Sequence, residues 1–203
     1  VAGRTELVLA SASPRRRQLL AQYGFEAHIA PAGVTESEAD WLTVRELVLL
    51  NAWRKADFIA RNAPESVVLG VDTLVSLDGR ALGKPANREA AAAMLESLAG
   101  REHQVYSGVC LIRRQPARTA SFVSVTNVRF RHLSPAEIRD YLALIDPLDK
   151  AGGYAAQEYG ERIIASMEGS RTNVVGLPME ELTSTLRQAF AIRPSRADSD
   201  QSA

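Results

Sequence analysis

Cysteine and histidine are scarce in this chain of 203 residues, which holds one Cys and three His. Cys110 stands inside an apolar, strand-like run, so an intramolecular disulfide and a cysteine-based zinc site are excluded, and core packing in a reducing cytoplasm fits. His28, His103 and His132 are scattered and read as structural or surface residues. There is no excess of either charge: 24 Lys and Arg balance 24 Asp and Glu, so no global field gathers nucleic acid, and any anion must be held by local charge. No apolar run approaches the roughly 20 residues of a membrane span, and nothing ahead of the first strand reads as a signal peptide. What is present, 46% hydrophobic and 24% charged side chains, is ordinary globular material. We expect one cytoplasmic domain over residues 1–191, built as two lobes around a cleft, and a tail, 192–203, rich in Ser, Asp and Arg, that lacks an apolar face and reads as disordered.

The pattern alternates strand and helix. A strand near Glu6–Ala10 precedes a helix over Pro14–Gln22, and a second strand is expected around Ala27–Pro31. A long helix over Thr43–Arg61 carries Val44, Leu47, Val48, Leu50 and Ala52 on one face, with Arg54, Lys55 and Asp57 breaking that face toward its end. Ser66–Leu77 is an almost unbroken β-branched run that reads as a central strand, closed by an Asp78-Gly79 hairpin turn. Asn87 caps a helix through Ala99, closed by Gly100 in the C′ position, and Ser134 with Glu137 forms a capping box for another that runs to about Leu144. Two long strands, Gln104–Arg113 and Thr119–Arg131, lie between them, joined by an exposed link over Arg114–Arg118. Tyr159–Glu168 reads as a strand and Pro178–Phe190 as the last helix. The class is α/β, a mixed twisted sheet with flanking helices.

Chemistry concentrates in four places. Ser13-Pro14-Arg15-Arg16-Arg17 opens a helix with an N-cap residue, a proline suited to the first turn and three arginines. The macrodipole disfavours cations there, so the run fits a bound phosphate, although a solvated basic helix start has the same composition. Asp72 sits in the middle of the apolar strand, where an ionised carboxylate needs a cation, a metal or a donor cluster, or else marks a bulge or sheet edge. The hairpin returns Lys84 beside it, as an ion pair or as a base next to a phosphate clamp. Glu36 and Lys55 could add an acid and a base, and each alone is compatible with surface charge. The last place is Asp149-Lys150-Ala151-Gly152-Gly153-Tyr154-Ala155-Ala156-Gln157, either a ligand loop whose Gln reads a base edge or a plain turn.

Taken together, Leu9-Ala10-Ser11-Ala12-Ser13-Pro14-Arg15-Arg16, Leu69-Gly70-Val71-Asp72-Thr73, Gly83-Lys84-Pro85, Asp149-Lys150-Ala151-Gly152-Gly153-Tyr154 and Asn173-Val174-Val175-Gly176-Leu177-Pro178 resemble, in order and spacing, the signatures of the Maf family of nucleotide pyrophosphatases. The resemblance implies a fold like that of the inosine triphosphate pyrophosphatases and hydrolysis of a nucleoside triphosphate to its monophosphate and pyrophosphate with Mg²⁺ or Mn²⁺. It also implies house-cleaning of the nucleotide pool, a homodimer and a link to septum formation. Position by position, it implies that Asp72 accepts the proton and that Arg15, Thr73 and Gln157 set substrate choice. Ser13, Arg16, Glu36, Lys55, Lys84, Asp149 and Lys150 are implied cleft residues, with Glu36 and Asp72 as metal contacts. The Asp-Lys-Ala-Gly-Gly-Tyr run with Gln157 is similar to the branch acting on dTTP and UTP rather than 7-methyl-GTP. Two departures stand out: Glu158 follows Gln157 where that branch often has glycine, and Val34-Thr35-Glu36 offers one acid where two are common. The competing functions are a nucleotide-sensing regulator of septum formation without turnover and a pyrophosphatase of purine-type noncanonical triphosphates.

Overall fold

A computed structural model describes residues 5–195. In chain order the strands are β1 (Leu7–Leu9), β2 (His28–Ile29), β3 (Val67–Leu77), β4 (Arg80–Leu82), β5 (Glu102–Arg114), β6 (Ala117–Phe130) and β7 (Ile164–Glu168). The helices are α1 (Pro14–Gln22), α2 (Val44–Ala60), α3 (Arg88–Leu98), α4 (Pro135–Leu144), α5 (Arg171–Val175) and α6 (Met179–Phe190). The sheet runs β2-β1-β3-β5-β6-β7, parallel between β2, β1 and β3 and antiparallel thereafter, with β4 folded back on β3. It is the mixed α/β sheet the alternation implied.

Two features of this sheet make the cleft. On one edge of β3, β1 pairs only Val67–Leu69 and β4 only Val75–Leu77, so Gly70 to Leu74 have no neighbouring strand there. Their backbone groups are left for side chains to satisfy, at the carboxyl end of a parallel strand where the chain order reverses, which is where open α/β sheets bind ligands. On one face of the sheet, Thr73, Ser107 and Ser124 stand opposite one another in register on β3, β5 and β6. This row of hydroxyls divides that face into two apolar cores. One gathers Leu69, Val71, Val109 and Leu111 with α1 and α6; the other gathers Val75, Val105, Val128 and Phe130 with α3 and α4. The two lobes therefore follow from a polar strip three strands wide. The opposite face packs on α2 through Ala52, Ala56 and Ala60.

Several boundaries differ from the sequence pattern. The long strands extend to Arg114 and start again at Ala117, so the expected loop is a tight turn at Gln115-Pro116. β2 keeps two residues of the expected five, and only the second half of Tyr159–Glu168 is strand. Tyr159 itself takes a positive φ of 56° and caps a short 3₁₀ turn, Gly160–Arg162, which breaks the extended run. α5 went unrecognised because five residues are too short for a periodic signal. Of the expected tail, Ile192 packs against the α6 core and Ser195 bonds the Gly24 carbonyl through N and Oγ at 2.7 and 2.8 Å. Residues 196–203 lie outside the described ones.

Candidate functional site

The site begins with how closely α2 lies on the sheet. Its start is fixed by a capping box in which the Thr43 hydroxyl accepts from Glu46 N while the Glu46 carboxylate accepts from Thr43 N. Its middle is seated on two glycines, because a Cβ at Gly70 would stand 2.1 Å from the Ala52 carbonyl and one at Gly108 2.4 Å from that of Val48. Gly108 is the register partner of Asp72. The helix therefore reaches the strand where the carboxylate lies, and lowers Asn51 and Lys55, one turn apart, onto it.

Lys55 and Asp57, which interrupt the apolar face of α2, are both buried, because each has partners of opposite charge. Lys55 Nζ donates to Asp72 Oδ1 at 2.7 Å, Glu36 Oε1 at 2.6 Å and the Val71 carbonyl at 3.2 Å, which uses its three hydrogens. Asp57 is shared by Arg61 and Arg114. Asp72, 4% exposed, takes its second donor on Oδ2 from Asn51 Nδ2 at 3.2 Å. It is held by side chains of α2, so it is neither a bulge nor an edge satisfied by backbone. Burial pushes Asp72 above the ordinary carboxylate range; the charge of Lys55 opposes this, nearby Glu36 adds to it, and Arg16 opposes it. Glu36 is raised by burial too, but the Lys55 hydrogen bond and charge, with Lys84 and Arg16, outweigh that and leave it below its ordinary value. One buried cation thus separates two carboxylates of opposite tendency.

The arginines at the start of α1 divide three ways. Ser13 occupies the N-cap but makes no side-chain capping bond, which leaves that first turn open to a ligand. Arg15 reaches across the cleft to the Asp149 carboxylate at 2.7 Å and carbonyl at 3.1 Å. Arg16 is committed to the protein: Nε donates to the Gly176 carbonyl, Nη1 to Ser11 Oγ and the Val71 carbonyl, Nη2 to Thr73 Oγ1. It fills the open edge of β3 and ties α1 to the turn after α5. Arg17 is exposed and turned away. Thr73 also meets Ser107 Oγ at 2.8 Å, so its hydroxyl serves this internal network.

Lys84 is exposed at the mouth and forms no hydrogen bond or ion pair among the described residues, and its charge helps to lower Glu36. Lys150 is buried and donates to Asp149 Oδ1 and the Asp146 carbonyl, both at 2.7 Å. Burial raises Asp149, but the Lys150 and Arg15 contacts prevail and hold it below its ordinary value. Gln157 is exposed on the loop after the paired glycines, its Nε2 donating to Glu158 Oε1 at 3.1 Å. All eleven expected site residues, Ser13, Arg15, Arg16, Glu36, Lys55, Asp72, Thr73, Lys84, Asp149, Lys150 and Gln157, line one cleft of about 1060 Å³.

Pattern reading passed over Asn51 and Ser107, and of the two readings open for His103 the structural one holds. Asn51 is a polar side chain on an apolar helix face, four residues before Lys55, and that misplacement was its signal. Ser107 becomes visible only through register. His103, fully buried, joins Tyr154 Oη at 2.9 Å and stacks edge-on with Phe130 beneath the glycine loop. Among the described residues no three His, Cys, Asp or Glu side chains converge as a metal-binding group. Glu36 and Asp72 form a two-carboxylate set, and such a set suits a hard cation that keeps waters and takes its other ligands from phosphate oxygens. No described helix is long and apolar enough to cross a membrane.

Residues 6–189 match the family model described as Maf-like protein. The dTTP/UTP pyrophosphatase of Pelotomaculum thermopropionicum is 45% identical over 183 residues, covering 90% of this chain and 96% of that protein. The dTTP/UTP pyrophosphatase of Myxococcus xanthus is 43% identical over 196 residues, covering 97% and 98%. Among solved structures, the Staphylococcus aureus Ham1 protein superposes with a TM-score of 0.51 over 90% of this chain and 98% of its own, at 15% identity, a likeness of fold.

Proposed function

The chain belongs to the Maf-like protein family, and on that premise we propose that it hydrolyses dTTP and UTP to the monophosphate and pyrophosphate. The observation that carries the reading is the Glu36–Lys55–Asp72 chain at the floor of a cleft whose rim bears Arg15 and Lys84. Asp72 takes a proton from water as its oxygen attacks the α-phosphorus; the bond from that phosphorus to the bridging oxygen breaks, pyrophosphate leaves, and the proton returns to solvent. A carboxylate raised by burial is a stronger base than an exposed one. Lys55 keeps it turned toward the cleft. Arg15 brings a planar fork and Lys84 a mobile charge to the polyphosphate, while Arg16, with four of its five donors bonded to the protein, holds α1 in place. Glu36 and Asp72 would hold Mg²⁺ or Mn²⁺, and a bound cation would supply positive charge against the charge that develops on the phosphates. Gln157, in the loop after the paired glycines, is the group for the base edge. A cytoplasmic setting, a homodimer and a role in clearing unwanted nucleotides belong to the same reading.

The test is pyrophosphate release from a panel of canonical and modified triphosphates with Mg²⁺, by the wild type and by Asp72→Asn. We expect dTTP and UTP to lead, and the variant to lose about 10²–10⁴-fold in kcat while remaining folded by circular dichroism. Wild-type turnover by a folded Asp72→Asn, or a preference for purine triphosphates, would overturn it.

A further inference from the structure

The geometry points to Asn51 as a positioning residue that sets Asp72 and the Glu36 loop in one arrangement, an inference that rests on the catalytic reading above. Its carboxamide is 3% exposed and makes three hydrogen bonds. Oδ1 accepts from Ser37 N at 2.7 Å, Nδ2 donates to the Ser37 carbonyl at 3.1 Å, and the other Nδ2 hydrogen goes to Asp72 Oδ2 at 3.2 Å. These three leave no choice of amide orientation, since a flipped group would set Oδ1 against a carbonyl and a carboxylate and NH₂ against an N–H.

The paired bonds to Ser37 imitate a rung of a β-ladder and pin the backbone next to Glu36. Glu36 comes from a stretch, residues 30–39, with no helix or strand of its own, so nothing else regular fixes its height above the sheet. The third bond holds the Asp72 oxygen that Lys55 does not touch. With Lys55 on Oδ1 and Asn51 on Oδ2, both from one face of α2, the plane of the carboxylate is set from a single rigid element. A hydrophobic residue at position 51 has no donor or acceptor to replace these bonds. It would release the loop and one Asp72 oxygen together.

The experiment compares wild type, Asn51→Leu and the isosteric Asn51→Asp. Readouts are kcat and KM for dTTP, thermal midpoint, and hydrogen exchange at the Ser37 amide. We expect kcat to fall about 10–100-fold in both variants with KM changed less than threefold, the range for losing a partner that orients a ligating or reacting group. Ser37 exchange should quicken in Asn51→Leu, whereas Asn51→Asp keeps an acceptor for that N–H and should protect it more. A lower thermal midpoint with unchanged kcat per folded molecule, or an unchanged Ser37 exchange rate in Asn51→Leu, overturns the inference. If the wild type releases no pyrophosphate from any triphosphate the catalytic reading falls, and Ser37 exchange alone then decides whether Asn51 is the clamp.

Discussion

Arg15 Nη1 lies 2.7 Å from Asp149 Oδ2, which ties the first turn of α1 to the loop after α4 across the mouth of the cleft. Asp149 is half exposed, so the pair contributes at most about 1 kcal/mol to stability. A triphosphate entering the cleft would compete with Asp149 for the same guanidinium, and the two partners should respond differently to removal. Arg15→Ala is expected to lower kcat/KM by about 100-fold, a bidentate phosphate contact being roughly 2–3 kcal/mol. Asp149→Ala should leave it within about threefold, and Arg17→Ala likewise. Steady-state kinetics with dTTP check all three, and a larger loss for Arg17→Ala than for Arg15→Ala would refute the helix-start placement.

Gly70→Ala should be far more damaging than its chemistry suggests. The new Cβ would meet backbone, the Ala52 carbonyl at 2.1 Å and the Ala56 nitrogen at 2.7 Å, so α2 must lift. Overpacking of this kind costs about 1–3 kcal/mol, occasionally more, and here it also withdraws Asn51 and Lys55 from Asp72. Gly83→Ala, where nothing lies within 4 Å, is the matched control. Urea unfolding and turnover of both variants decide, and equal stability would show that the helix can yield.

How much of this was legible in sequence depends on the kind of signal. The capping box at Ser134, the start of the long helix near Thr43, the central strand and the Asp78-Gly79 turn are local and periodic, and they were placed within a residue or two. Asp72 declared itself by being charged in an apolar strand. Arg16 and Lys55 could be assigned to the cleft but not to the partner they share, the Val71 carbonyl, which is open to side chains only because β1 and β4 leave a gap along β3. Composition does not encode which strand edge is left open. Lys55 and Asp57 interrupt the apolar period of α2 and are buried all the same, since periodicity carries no information on the opposite charges that meet them.

Stability should depend on pH through His103. Burial holds its pKa down to about 4, from 6.5. Below pH 6.5 the unfolded chain takes up a proton that the fold refuses, so this contribution is complete above that value and is lost as the pH drops toward 4. The loss amounts to up to about 3 kcal/mol. In His103→Gln that part of the slope should vanish. Denaturant midpoints between pH 4 and 7 measure it, and parallel profiles for the two proteins would exclude His103 as the cause.

Base choice should lie with Gln157. With Nε2 turned to Glu158, its carbonyl oxygen is free to accept from the N3–H of thymine or uracil. Gln157→Leu should lower kcat/KM for dTTP by about 10-fold or more, an unpaired polar group costing roughly 1–3 kcal/mol, and flatten the ranking across triphosphates. An unchanged ranking would remove Gln157 from base selection.

The close seat of α2 gives the protein a built-in optical probe. Its two tryptophans are Trp41, just ahead of the Thr43 cap, and Trp53, between Asn51 and Lys55 on the same helix. Both are exposed, at 82% and 45%, so their emission is open to solvent and to quenchers while the helix beneath them bears on Asp72. Intrinsic fluorescence of this chain is therefore a local gauge of the element that carries Asn51 and Lys55. With tryptophan excited selectively over tyrosine, a triphosphate that shifts α2 should change the emission without any label attached, and motion confined to α3, α4 or the glycine loop, which hold no tryptophan, should stay dark.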